Sequence, residues 1–139
     1  MFNKIYNEIE VNIMSPLVWA YIGDSVYELF IREKMIEKGI PNNTKLHIET
    51  INYVKAHAQS EILKMLTEFL TEEEHSIVKR GRNANSNTIP KHADLIEYKN
   101  ATAFEGLIGY LFLTGKYERI LEILNYVYKN YNFKRELKQ

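Results

Sequence analysis

The chain has 139 residues, the length of one domain, and 45% of them are hydrophobic, which is enough for a buried core. Its 18 basic and 18 acidic residues cancel, so binding to a polyanion would need a local cluster of charge. The absence of cysteine excludes disulfides, thiolate metal sites and a cysteine nucleophile. We recognise no signal peptide and no apolar run of bilayer length, which predicts a cytoplasmic protein that is not attached to a membrane.

The first predicted long helix begins at Ser15 and Pro16, an N-cap followed by proline at the first helical position. It is predicted to run to about residue 38, before Gly39. Its segment 17–31 is apolar on almost every side, so it is either the central helix of the domain or a surface that meets a second copy of the chain.

Helical patterns continue along the rest of the chain without a strand candidate. A second helix is predicted over 43–70, and a third begins at the capping box of Thr71 and Glu74 and closes near Gly81. Residues 82–93 read as an ordered loop. A helix that contains residues 101–113 and a final amphipathic helix complete an all-α domain over 1–139.

One acid interrupts each of two apolar segments, Asp24 in 17–31 and Glu105 in 101–113. An ionised carboxylate in apolar surroundings costs several kcal/mol unless it is paired or holds a metal. Gly23, Gly106 and Gly109 lie close to these acids, and glycine inside a helix indicates the close approach of another group. Asp24 and Glu105 are therefore predicted to share a divalent cation. The alternative is an Asp paired with an arginine and a Glu that is simply solvated.

Two further side chains share faces with these acids. Glu28 lies four residues after Asp24, and Thr102 lies three residues before Glu105. Both are candidates for an outer shell around Mg²⁺, which is typically held by one or two carboxylates and several waters. Glu28 can equally point away from the site.

A basic cluster without acids occupies residues 79–92. Charge, side-chain amides and exposed backbone N–H groups in such a segment can bind phosphates. The alternative is an ordinary solvated loop. The candidate RNA-binding residues are Lys79, Arg80, Arg82, Asn83 and Lys91.

The sequence resembles the ribonuclease III family at these positions. Residues 21–28 (YIGDSVYE) are similar to the signature helix of the family, and residues 103–109 (AFEGLIG) are similar to its second acidic motif. The short chain, residues 79–84 (KRGRNA) and the pair at 90–91 (PK) resemble most closely the Mini-ribonuclease III group, which lacks the double-stranded RNA-binding domain.

This resemblance implies a helical endonuclease that acts as a homodimer on double-stranded RNA with Mg²⁺, for which Mn²⁺ is a substitute. It makes Asp24 and Glu105 the catalytic and metal-binding acids. For the Mini group it also implies maturation of the large-subunit (23S) ribosomal RNA precursor, with a ribosomal protein or pre-ribosomal particle as a further partner. Larger relatives carry two more acids, where this chain has Ala20 and Thr102. We therefore expect water and RNA to complete the metal shell.

Two other classes of function stay open at this point. One is a catalytically idle RNA-binding or ribosome-associated module of the same fold. The other is a helical protein-interaction domain that does not bind RNA.

Overall fold

The computed structural model describes residues 4–84, 89, 91 and 94–138, and within them it has seven helices and no strands. The all-α prediction is confirmed. The helices are α1 (Glu8–Asn12), α2 (Pro16–Glu37), α3 (Asn43–Val54), α4 (Ala56–Met65), α5 (Glu72–Arg82), α6 (Leu95–Leu113) and α7 (Tyr117–Leu137).

Helix α6 lies at the centre of the domain, because almost all of its residues from 100 to 111 are buried. Helix α2 instead buries one stripe, at every fourth residue from Trp19 to Met35. Trp19 anchors the start of this stripe by donating a hydrogen bond from Nε1 to the carbonyl oxygen of Val11 at 2.9 Å. The other side of α2 keeps apolar residues exposed, so α2 is not the central helix.

Two glycines allow the backbones of α2 and α6 to touch. A Cβ atom on Gly23 would lie 2.7 Å from the nitrogen of Gly109 and closer still to the carbonyl oxygen of Glu105. A Cβ atom on Gly109 would lie 3.0 Å from the nitrogen of Gly23 and closer still to the carbonyl oxygen of Trp19. The prediction that glycine marks a close approach holds for this pair, whereas Gly106 has ordinary spacing, with its nearest neighbour at 3.8 Å.

The predicted single helix over 43–70 is wrong. Lys55 has extended backbone angles (φ −64°, ψ 154°) and separates α3 from α4, and α4 ends at Met65. The break frees the carbonyl oxygen of Val54, which accepts a hydrogen bond from the side-chain amide of Gln59 at 2.8 Å. The helical pattern of the sequence does not reveal this break, because the hydrogen bond that replaces the lost helical bond comes from a side chain and not from the backbone.

The predicted capping box of α5 is present. The Thr71 hydroxyl oxygen accepts from the Glu74 backbone N–H at 3.1 Å, and the Glu74 carboxylate accepts from the Thr71 N–H at 2.9 Å. Gly81 lies one residue before the end of this helix at Arg82, in agreement with the predicted end near Gly81. Its role is packing, since a Cβ atom there would lie 2.9 Å from Cα of Ala103 on α6.

Across the described ranges, no helix has both the length and the hydropathy needed to cross a bilayer.

Candidate active site

The crossing of α2 and α6 brings Asp24 and Glu105 together, although 81 positions separate them in the chain. Glu105 is partly buried on α6, and burial raises its pKa to about 8, with further contributions from the charge of Asp24 and from a hydrogen bond with it. Burial and the neighbouring carboxylate both disfavour the charged form of Glu105, and a cation between the two acids would reverse this effect.

Asp24 is exposed in the single chain, although its place in an apolar segment predicted apolar surroundings. The buried stripe of α2 passes through Gly23, and Asp24 is the next residue, at the edge of that stripe. Asp24 therefore faces solvent while Glu105 lies behind it, and a ligand can approach the pair from the side of Asp24.

Gln59 on α4 is a third member of the site and was missed by the sequence reasoning. Its side chain is 2% exposed, and its Nε2 lies 3.2 Å from Oε2 of Glu105. Its Oε1 is buried and has no hydrogen-bond partner among the described residues. The available signal in the sequence was a polar residue, Gln59, close to small residues in a predicted helix. This signal does not predict which atom the side chain contacts.

The residues present fit a divalent cation that keeps much of its water. Two carboxylates meet, and a buried amide oxygen beside them lacks a donor. Within the described ranges, no group of three or more His, Asp and Glu side chains could hold a metal. Such a site suits Mg²⁺, which is commonly bound through one or two carboxylates and several waters.

The two outer-shell candidates have other contacts. Glu28 forms an ion pair with Arg32 at 2.8 Å, one turn further along α2. Thr102 is buried, and its hydroxyl donates to the carbonyl oxygen of Tyr98 at 3.0 Å. Neither contact directs the side chain to the carboxylate pair, so an outer-shell role for these residues stays a prediction.

Two arginines of the basic cluster are anchored to neighbouring elements, although all five candidate residues are exposed. Arg80 donates from Nη2 to the carbonyl oxygen of Asn12 at 2.9 Å, and its guanidinium lies 4.6 Å from the centre of the Trp19 ring. Arg82 donates from Nε to Oδ1 of Asn100 at 3.2 Å. Both arginines therefore hold α5 against neighbouring elements.

The other three predicted RNA-binding residues, Lys79, Asn83 and Lys91, are exposed. Residues 85–88, 90 and 92–93 of the predicted loop lie outside the described part of the chain. Lys79 has no ion pair or side-chain hydrogen bond with another described residue. Its charge is available to a phosphate. The charge of Arg80 is less available, because its guanidinium is already bonded to Asn12.

Comparison with known proteins identifies the family. The family model named Ribonuclease III domain matches residues 17–116. A protein named Mini-ribonuclease 3 from Thermoanaerobacter sp. is 53% identical over 112 residues, which cover 80% of this chain and 78% of the relative. The Mini-ribonuclease 3 of Clostridium tetani is 46% identical over 127 residues, covering 91% and 84%.

A crystal structure of a protein from Fusobacterium nucleatum has the same fold, with a TM-score of 0.75 and 39% identity over 83% of this chain and 93% of that one. The matched residues include Asp24, Glu105 and Gln59, which meet at the crossing of α2 and α6. The chain therefore belongs to the ribonuclease III family and, within it, to the group of proteins named Mini-ribonuclease 3.

Proposed function

We propose that this protein is a Mg²⁺-dependent endoribonuclease that cleaves double-stranded RNA at the site formed by Asp24 and Glu105. Membership of the ribonuclease III family gives the reaction class, an endoribonuclease for double-stranded RNA. The observation that carries the choice of residues is the meeting of these two acids from remote parts of the chain.

Asp24 and Glu105 would hold the cation through their carboxylate oxygens. A bound divalent cation supplies a water of lowered pKa and stabilises the charge that develops on the scissile phosphate. A proton on Glu105 would compete with the cation for its carboxylate oxygens, because burial and the charge of Asp24 raise the pKa of Glu105 to about 8. Mn²⁺ is expected to replace Mg²⁺, since it also prefers oxygen ligands.

The duplex would be bound mainly through its backbone. A-form RNA is recognised through its shape, phosphates and 2′-hydroxyls. Exposed Lys79, Asn83 and Lys91 would contact phosphates, and the anchored Arg82 would keep that surface in place through Asn100.

A homodimer is the second part of the proposal. A groove of about 530 Å³ lies between α2, the end of α6 and α7, and its walls are mostly apolar. Leu29 and Leu121 line this groove and are 44% and 53% exposed in the single chain. An exposed apolar surface of this kind favours association, and a second copy of the chain would cover it.

We propose the large-subunit ribosomal RNA precursor as the natural substrate, on a pre-ribosomal particle or with a ribosomal protein. The support for this substrate is membership of the Mini-ribonuclease 3 group. Incubating the protein with precursor ribosomal RNA and sequencing the new ends would test it. Cleavage of any duplex with equal efficiency would contradict a dedicated substrate.

The test of the active site is a cleavage assay on a structured duplex RNA with Mg²⁺ and with EDTA. We expect Asp24→Asn and Glu105→Gln to lower the rate by on the order of 10²-fold to 10³-fold or more, since each removes a charge that acts in the transition state. Glu118→Gln, an exposed acid on α7, is the matched control and should cleave normally.

Full activity of Asp24→Asn or Glu105→Gln would contradict the assigned site. A wild-type protein that retains the duplex without cutting it would instead favour the idle RNA-binding module. Absence of both binding and cleavage would favour a protein-interaction domain.

A further inference from the structure

Gln59 joins the break between α3 and α4 to the carboxylate of Glu105. Its single amide nitrogen donates to the carbonyl oxygen of Val54 at 2.8 Å and to Oε2 of Glu105 at 3.2 Å. The side chain is 2% exposed, so it has no freedom to exchange these partners for bulk water. It therefore fixes one oxygen of the carboxylate that meets Asp24.

These contacts also determine which way the amide is turned. Val54 offers a carbonyl oxygen, which can only accept, so the amide nitrogen must face it. Turning the amide over would place its oxygen against the carbonyl oxygen of Val54. The orientation leaves Oε1 of Gln59 buried with no donor from the described residues.

A buried acceptor without a donor is unusual and calls for an explanation. The donor is expected to come from outside the chain, beside Glu105. Water bound to a divalent cation is a strong donor, because the cation polarises its O–H bonds. Partners of this kind around metal ligands orient the ligands and tune the site.

We propose that Gln59 is a positioning residue of the cation site, an inference that rests on the proposed function. Its Nε2 holds Oε2 of Glu105 in place for the cation, and its Oε1 accepts a hydrogen bond from a water of the cation's hydration shell. This neutral side chain would support a site that has only two carboxylates, where larger relatives are expected to have more acids.

The test compares Gln59→Met with Ser60→Ala in the full chain. Methionine has nearly the same size but offers neither the donor nor the strong acceptor. Ser60 is the matched control, because it is the next residue of α4, is also 2% exposed, and makes its hydrogen bond with Asn100 rather than Glu105.

Mn²⁺ binding is measured without RNA by titration calorimetry, and cleavage of a duplex is measured over a range of Mg²⁺ concentrations. We expect Gln59→Met to weaken Mn²⁺ binding by about tenfold to hundredfold and to raise the half-saturating Mg²⁺ concentration by a similar factor. The cleavage rate at saturating Mg²⁺ should approach that of the wild type. Ser60→Ala should leave both cation measurements unchanged.

Circular dichroism and thermal unfolding check the fold of each variant. If Gln59→Met does not fold, Gln59→Asn takes its place, because it keeps the amide but is one methylene too short to bridge Val54 and Glu105. Wild-type cation affinity in the folded variant would overturn the inference.

The proposed function and this inference fail in different ways. A wild type that cleaves, with unchanged cation dependence in the Gln59 variants, overturns the inference alone. Cation binding that depends on Gln59 without any cleavage by the wild type overturns the proposed function alone. A wild type that binds no divalent cation overturns both.

Discussion

Gly23 and Gly109 determine how closely α2 and α6, the helices that carry Asp24 and Glu105, approach each other. Each faces the backbone of the other helix, and a Cβ atom on either would overlap a carbonyl oxygen. The carbonyl oxygen beside Gly23 belongs to Glu105, and Asp24 directly follows Gly23. The same contact that packs the helices therefore brings the two carboxylates together.

Two glycines on α6 provide a matched comparison of this effect. We expect Gly109→Ala to destabilise the protein by about 3 kcal/mol or more, because rigid backbone cannot move aside as a flexible side chain can. Gly106→Ala should be neutral or stabilising by up to about 1 kcal/mol, since its added Cβ atom has ordinary spacing and alanine favours the helix. Chemical denaturation measures both, and equal stability of the two variants would contradict the close crossing.

Arg80 and Lys79 are adjacent cations in different environments. Arg80 donates to Asn12 and lies over the ring of Trp19, whereas Lys79 has no such partner among the described residues, although both residues are exposed. Simple counting of basic residues treats the two alike. The structure assigns a packing role to Arg80 and leaves the charge of Lys79 for a ligand.

The two alanine variants should therefore differ. Arg80→Ala should lower the free energy of unfolding by about 1 kcal/mol through the lost hydrogen bonds and ring contact. Lys79→Ala should leave stability unchanged but reduce the salt dependence of duplex binding by about one unit of slope. Thermal unfolding and duplex binding at several salt concentrations test these expectations. An unchanged salt dependence of binding in Lys79→Ala would show that Lys79 does not contact the RNA.

Helix α5 is attached to α7 by a carboxylate that has two roles. Glu74 completes the capping box with Thr71 and also accepts from Nε and Nη2 of Arg119, both at 2.8 Å. Burial raises the pKa of Glu74, but the hydrogen bonds from Arg119 and Thr71 outweigh it and hold the pKa below its ordinary value of 4.5. The ionised form is therefore the one that stabilises the fold.

This lowered pKa predicts how stability changes with pH. The stabilisation of the fold by ionised Glu74 is fully present above about pH 4.5, the ordinary pKa of a glutamate. This stabilisation is lost as the pH falls through the lower pKa that Glu74 has in the folded state. Glu74→Gln should cost about 3 kcal/mol at pH 7 and weaken the loss of stability in acid. Glu72→Gln, an exposed acid in the same first turn, should behave as wild type in denaturation measured from pH 7 to pH 3. Identical acid profiles for wild type and Glu74→Gln would contradict the role of this pair.

The apolar groove formed by α2, α6 and α7 is the surface at which we expect two copies of the chain to associate. Covering it with a second copy would remove Leu29 and Leu121 from water and would enclose the side of α2 that lines the groove, which does not include Asp24. The sequence alternative of a helix that meets a second copy is thus compatible with the observed surface. The central position predicted as the other alternative is occupied by α6.

A charge in this groove should break the dimer. We expect Leu121→Asp to raise the dissociation constant of the homodimer by more than about tenfold for each of the two substituted side chains. The reason is that each introduced carboxylate would lose its hydration in the interface. Ile48→Asp on α3 is the matched control, since Ile48 is 56% exposed, close to the 53% of Leu121, but lies outside the groove. Sedimentation measures the dissociation constants, and a monomeric wild type or a Leu121→Asp dimer of wild-type affinity would contradict the interface.

The helical class, the capping box of α5, the meeting of Asp24 with Glu105 and the close approach at Gly23 and Gly109 could be predicted from the order of residues. These features depend on short-range physics: the periodicity of apolar residues, the hydrogen bonds of a cap, and the cost of an acid or a glycine in a helix. A neighbour within a few positions is enough to reveal them.

The break at Lys55, the contact of Gln59 with Glu105, the anchoring of Arg80 and the exposure of Asp24 could not be predicted in this way. The break at Lys55 is accompanied by a bond from the side chain of Gln59. The other three features depend on which group of a distant helix lies opposite, and that is settled by how α2, α4, α5 and α6 pack. A buried amide or an arginine takes its role from the donors and acceptors around it, and here those partners lie up to 68 positions away in the chain.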